Sequence, residues 1–134
     1  MRRILVAAMA ASLLAAACAD PVPPPAPTPV VPTTTEYFTG TVLVLGSDTK
    51  QFVVNQVGGL KVSLLTVSPS AAVGVGVGTP SSGSCLALDT INAVAGPGVQ
   101  MSGTATVPGT YCVIVYDVGN MVETIGYTLT VLHS

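Results

Sequence analysis

From residue 37 onward, apolar positions come in short β-branched runs that alternate with polar ones and break at glycine, proline, aspartate or asparagine. That is the rhythm of strands, whose side chains point to opposite faces in turn. No segment sustains a helical repeat. The runs predict strands near residues 37–45, 50–54, 60–67, 72–77, 85–88, 99–107, 109–116 and 124–132. Gly46-Ser47-Asp48, Val57-Gly58-Gly59 and Val107-Pro108-Gly109 supply turns between them. About eight strands in a domain of this size predict an all-β fold over residues 36–134, an antiparallel β-sandwich with a jelly-roll-like course.

Alternation also assigns faces. In YCVIVYD, Tyr111, Val113 and Val115 share one side, while Cys112, Ile114 and Tyr116 share the other. Both sides are apolar, which predicts a central strand covered on both. In YTLTV, Tyr127, Leu129 and Val131 point inward and Thr128 and Thr130 outward, a strand half in water. Val73 to Gly78 sets valines on one face and bare backbone on the other. Such a glycine column admits a close neighbour, often an aromatic ring. Its GxGxG spelling also fits a phosphate loop, but no helix is predicted after it to offer an N-terminus, so the strand reading stands.

The first 35 residues follow another plan. Met1-Arg2-Arg3 is a positive start, and Ile4 to Ala17 is apolar apart from Ser12. A basic region, a short apolar region and small residues before a cut site make residues 1–17 a secretory signal peptide. Fourteen residues are too few for a spanning helix, which needs about 20. Residues 18–35 are a linker: seven of the eleven prolines lie between Asp20 and Thr35. Proline lacks an N–H and fixes φ, so this stretch favours extended polyproline II and spans up to about 50 Å at about 3.1 Å per residue. It reads as a stalk, with a PxxP ligand for a partner as the alternative.

Ala15-Ala16-Ala17-Cys18 resembles a bacterial lipobox, which implies a lipidated Cys18 as the first mature residue and a membrane partner through its acyl chains. The pattern departs from the usual one in having Ala15 where leucine is preferred. An ordinary secretory cut after Ala17 or Ala19 is the rival. The expected location is the outer membrane or cell surface, with a periplasmic or secreted soluble protein as the alternative. Cysteine arithmetic favours the anchor. Three cysteines are odd for an exported chain. With Cys18 set aside, Cys85 and Cys112 remain as a pair in an oxidising compartment, where a disulfide is expected.

Composition changes the picture by subtraction. The chain is 49% hydrophobic and only 7% charged, unlike a disordered chain. Its formal charge is −2, but beyond the signal the cations are Lys50 and Lys61 against six acids, which gives 2 − 6 = −4. Nucleic acid is thereby excluded as a partner, because nothing would neutralise its phosphates.

The run PGTYCVIVYDVGN from Pro108 to Asn120, followed by YTLTV, resembles the end of bacterial pre-peptidase C-terminal (PPC-like) domains. Phe52 to Val54 and Gly59 to Leu64 agree with the start of such domains. The resemblance covers most of residues 37–132. It implies a jelly-roll-like sandwich without catalytic activity. Here no protease accompanies it. Some members bind calcium through clustered acids; in this chain the acids are scattered, and Asp117, Asn120 and Glu123 are the sole calcium candidates. A turn explains Asp, Gly and Asn at that place and is preferred.

The chemical inventory is thin. His133 is the single histidine and reads as a half-exposed strand-end residue. No nucleophile elbow surrounds Ser81, Ser82 or Ser84, and no spacing selects a carboxylate pair. No enzyme, catalytic residue, metal or cofactor is expected. Tryptophan is absent, which leaves Tyr37, Tyr111, Tyr116 and Tyr127 as weak stacking candidates, most of them expected in the core or at its rim. The function expected is a non-catalytic, lipid-anchored binding or adhesion module for an unspecified protein or polysaccharide. A self-associating structural surface protein, or an accessory domain acting with a secreted hydrolase, is the alternative.

Overall fold

The computed structural model describes residues 23–88 and 93–134. Nine strands are present: β1 (Thr34–Val42), β2 (Ser47–Val54), β3 (Gly58–Ser68), β4 (Val73–Ser81), β5 (Ser84–Ala87), β6 (Ala93–Ala95), β7 (Gln100–Ala105), β8 (Gly109–Asp117) and β9 (Ile125–His133). One sheet runs β1-β9-β3-β7. The other runs β2-β8-β4-β5, with β6 also pairing β4. Every pairing is antiparallel. The chain changes sheet at almost every connection, so each sheet is assembled from strands distant in sequence. The predicted all-β sandwich is the fold, with a ninth strand.

That extra strand, β6, is three residues long and too short to show a pattern. It pairs with Val73 to Val75, while β5 takes the same edge of β4 from Gly78 to Ser81. Three boundaries also differ. The linker ends sooner than expected: Thr34 and Thr35 already pair with His133 and Leu132. Residues 23–33 form no strand and are exposed. Strand β4 runs on through Pro80 to a two-residue hairpin, where Ser82 and Gly83 both have positive φ (47° and 82°). That is the type I′ geometry whose twist matches the strands. The turn expected at residues 46–48 lies earlier, closed by the Gly46 N–H donating to the Leu43 carbonyl at 2.8 Å. Ser47 and Asp48 are already paired with Tyr116 and Val115.

The core fills the space between the sheets with β-branched and leucine side chains on alternate positions. Val73, Val75 and Val77 of β4 face Val62, Leu64, Leu129 and Val131 of the other sheet, all buried. Strand β9 keeps its alternation: Ile125, Tyr127, Leu129 and Val131 are buried, Thr128 and Thr130 half-buried on the outside.

The outer face of β4 is where glycine matters. A Cβ at Gly74 would lie within the ring of Tyr116, its cross-strand partner on β8. A Cβ at Gly78 would strike the backbone of Leu86 and Ala87. So β5 does not continue the sheet as a flat neighbour; it folds across the bare backbone of β4. Strands flanking a third in a flat sheet sit about 9.5 Å apart. The Cα atoms of Cys85 on β5 and Cys112 on β8 are only 5.7 Å apart, and the two are joined in a disulfide. The expected pair is thus formed over the glycine column, with both cysteines buried.

Two outcomes follow. Gly78→Ala should cost about 3 kcal/mol in urea unfolding, because backbone cannot yield. Gly74→Ala should cost about 1–2 kcal/mol, and much of that loss should vanish in the double variant with Tyr116→Ala. Equal costs at the two glycines would contradict the packing. Replacing Cys85 and Cys112 together by alanine opens a loop of 27 residues. It should lower stability by about 3.5 kcal/mol through chain entropy, read as a lower urea midpoint.

Candidate functional site

The predicted candidates separate once folded. Asp117 ends β8, and its carboxylate is surrounded by amides. Oδ1 accepts from the N–H groups of Gly119 (2.7 Å), Asn120 (3.1 Å) and Met121 (3.3 Å). Oδ2 accepts from the Leu45 N–H at 2.8 Å, 72 residues away. The Asp117 N–H donates to the Gly46 carbonyl at 3.0 Å. One aspartate therefore ties the β8–β9 loop to the β1–β2 turn. It also holds Leu45 at φ 58°, a left-handed conformation rare for a leucine. The Leu45 amide is the main cause that keeps the Asp117 carboxyl below its ordinary range; burial opposes it, and the three loop amides add to it.

Asn120 and Glu123 lie elsewhere in that loop. They line a cavity of about 220 Å³ with Pro69, Ser70 and Met121, next to the cis Ser68–Pro69 bond. Asp117 does not share it. Among the described residues no three His, Cys, Asp or Glu side chains come together to hold a metal ion. Cys18 lies outside the described residues.

His133 departs from expectation. It is 2% exposed, not half exposed. Its ring packs on Phe52 of the opposite sheet, centroids 5.3 Å apart. Nε2 lies 2.9 Å from Glu36 Oε1 and Nδ1 lies 3.3 Å from the Ser134 carbonyl. The reason is register: His133 continues the inward series of β9, and Glu36 sits on the inward series of β1. With both ring nitrogens facing oxygen atoms and the ring on Phe52, the buried imidazole plugs one end of the core.

A second polar plug was not legible in sequence. Asp48 and Lys50 share the inward face of β2 with Phe52. Tyr127 donates from its hydroxyl to Asp48 Oδ2 at 2.9 Å, and Lys50 Nζ lies 3.2 Å from the same oxygen. Gly40 makes this reach possible, since a Cβ there would collide with the Tyr127 ring and the Asp48 carboxylate. Burial first, then Asp48 as acceptor and charge, pushes the Tyr127 phenol well above its ordinary pKa. Asp48 and Lys50 line an open depression of about 460 Å³ with Thr41, Leu43 and Ser47. Its carboxylate is neutralised and hydrogen-bonded, an arrangement suited to fixing two sheets together rather than to moving protons.

The structure sorts the four tyrosines. Tyr111 stacks with Phe52 and donates to the Val107 carbonyl at 2.8 Å. Tyr116 covers Gly74, and Tyr127 is buried. Tyr37 is 72% exposed, on the outward face of β1. It stands in a cross-strand row with Thr130, Ser63 and Gln100. The next row is Thr39, Thr128 and Thr66. Among the described residues Lys61 alone brings charge to this face. Alternation placed Thr128 and Thr130 outside; it could not show that β1, β9 and β3 align their hydroxyls, because register is a property of pairing.

No protein-family model matches the chain, and no curated protein matches its sequence. The fold is similar to that of a periplasmic lysozyme inhibitor of g-type lysozyme from Aeromonas hydrophila, with 17% identity and a TM-score of 0.51 over 72% of this chain and 83% of that one. A chain from Bacillus endospore appendages, described as a family of disulfide-linked pili, is 12% identical with a TM-score of 0.41 over 76% of this chain and 86% of that one. At such identities the first likeness concerns the sandwich alone.

The Asp117 geometry sets a pH dependence. A depressed carboxyl stabilises the fold above its unfolded pKa and loses that contribution as pH falls through its folded value. Asp117→Ala should therefore lower the melting temperature at pH 7, and the gap to wild type should narrow in acid, below the ordinary aspartate range. Millimolar calcium should leave the melting temperature unchanged, because amides already fill the carboxylate. A shift equivalent to about 2.7 kcal/mol, as a site at a hundred times its dissociation constant would give, would contradict this.

Proposed function

We propose that this chain is a non-catalytic exported envelope protein, a PPC-like sandwich acting as a binding or adhesion module, tethered by lipid at Cys18. The observation that carries the reading is the disulfide between Cys85 and Cys112. Such bonds persist in oxidising compartments, and this one uses every cysteine of the domain, which leaves Cys18 for another role. The exposed proline-rich residues 23–33 run directly into β1, as a stalk would.

The groups that chemistry would need are committed elsewhere. His133 plugs the core, Asp117 braces two loops, and Asp48 is shared between Lys50 and Tyr127. A sandwich with such inert polar groups serves by its surface. The similar fold from Aeromonas hydrophila is named as a lysozyme inhibitor, a protein that acts by binding. Lysozyme inhibition is accordingly the first binding activity to assay.

The tether is tested at the mature N-terminus. Mass spectrometry of the chain from its own envelope should find a peptide that begins with diacylated or triacylated Cys18. The Cys18→Ser variant should leave the membrane fraction for the soluble one. An unmodified peptide starting at Asp20 would remove the anchor and leave a soluble exported module.

A further inference from the structure

We infer that the outward face of the β1-β9-β3-β7 sheet is a docking surface for an uncharged polysaccharide, with Tyr37 as its stacking platform. The inference rests on the binding-module reading and names the ligand class and the face. It starts from the contrast between the sandwich's two outer surfaces. On the β8-β4-β5 side, Tyr116, the disulfide and the folded-over β5 already cover the strands. On the β1-β9-β3-β7 side Tyr37, Thr39, Thr66 and Gln100 are exposed, Thr128 and Thr130 are half-buried, and Ser63 is buried within the row.

The chemistry of that open face is narrow. Thr39, Thr128 and Thr130 present hydroxyls, Gln100 presents a carboxamide, and among the described residues Lys61 is the one charge. A face with a single cation gives polyanions little to hold. It also lacks the large apolar centre that a stable protein interface requires. A neutral sugar polymer matches it on both counts. Each sugar ring has an apolar C–H face and a rim of hydroxyls. The exposed ring of Tyr37 would take the first, and the hydroxyl and amide groups beside it would take the second.

Geometry favours a polymer over a free monosaccharide. The row through Tyr37, Thr130, Ser63 and Gln100 crosses four strands, about 14 Å at about 4.8 Å per step. That is room for a short run of rings. The neighbouring row through Thr39, Thr128 and Thr66 repeats the hydroxyls two residues along the strands, about 7 Å away. Threonine and tyrosine have few side-chain rotors, so little entropy is lost when they are fixed. Beyond Lys61 and Leu132 the sheet meets a cavity of about 380 Å³ whose wall includes Val31 and Thr33, the last residues of the stalk. The face therefore begins where the stalk ends.

The test is native affinity electrophoresis of the exported chain, purified in non-ionic detergent, in gels containing hydroxyethylcellulose, soluble starch or glycol chitin, with alginate as the anionic polymer. We expect retardation by at least one neutral polymer that high salt does not abolish. Tyr37→Ala should weaken it at least about tenfold, the equivalent of losing one stacked aromatic side chain. Tyr37→Phe should retain it, and Thr130→Val should reduce it while leaving the melting temperature near wild type. Retardation by alginate alone, or by no polymer, would overturn the inference and leave open a module that binds protein. Retardation unchanged in Tyr37→Ala would overturn the face while sustaining the binding reading. A dimer in sedimentation equilibrium that Tyr37→Arg dissolves would assign the face to a second copy of the chain and overturn it as well.

Discussion

The sandwich depends on one strand having side chains on a single face. Strand β4 lies inside its sheet, between β8 on one edge and β5 and β6 on the other. Its valines fill the core, and its glycines leave nothing outside. Glycine in a strand is normally a loss, since it gives no packing and costs more chain entropy. Here the absence of side chains is what lets Tyr116 lie against the strand and lets β5 cross it. The disulfide follows from that crossing, because Cys85 could not approach Cys112 across a row of Cβ atoms. A domain of about a hundred residues has a small core and gains from such a covalent tie.

The other side of the sandwich is closed by charge rather than by sulfur. Strands β1 and β2 are the edges of their sheets, and each turns polar groups inward near its end. Glu36 meets His133, while Asp48 meets Tyr127 and Lys50. Inward-pointing charges are a device that discourages an edge from pairing with another chain. Each pair also satisfies a polar group that would be costly to bury alone. The two plugs explain how a chain with so few charged residues still manages its exposed edges.

Period and face were legible in the sequence; distance was not. The alternation of β9, the two-sided burial of β8 and the crowded glycine column all follow from side-chain periodicity, and they stand in the structure. The pairing of Cys85 with Cys112 followed from counting. His133 was misread because its neighbours in sequence say nothing of Phe52 and Glu36, which reach it from other strands. The same holds for Asp48 and Tyr127, 79 residues apart and joined only because Gly40 leaves the way clear. The turn before β2 was misplaced because its cause, the Asp117 carboxylate, lies 72 residues from Leu45. Strand β6 escaped because three residues carry no period.

These errors share a direction that bears on function. Asp117, His133 and Asp48 are each held by a contact to a residue distant in sequence. Asp117, His133 and Asp48 together account for much of the chain's reactive inventory, and all three brace loops or close the core. The hydroxyl-bearing residues behave in the opposite way. Thr39, Thr128 and Thr130 looked like ordinary outward positions, yet strand register gathers them beside the most exposed tyrosine. Folding thus commits these ionisable groups to structural contacts and gathers hydroxyls on one sheet face whose charge, among the described residues, is Lys61. A surface of that kind cannot activate a nucleophile or stabilise a developing charge, but it can recognise a partner whose own surface is made of hydroxyls and C–H groups. Val31 and Thr33, at the end of the proline-rich stretch, line the cavity at one end of that same face.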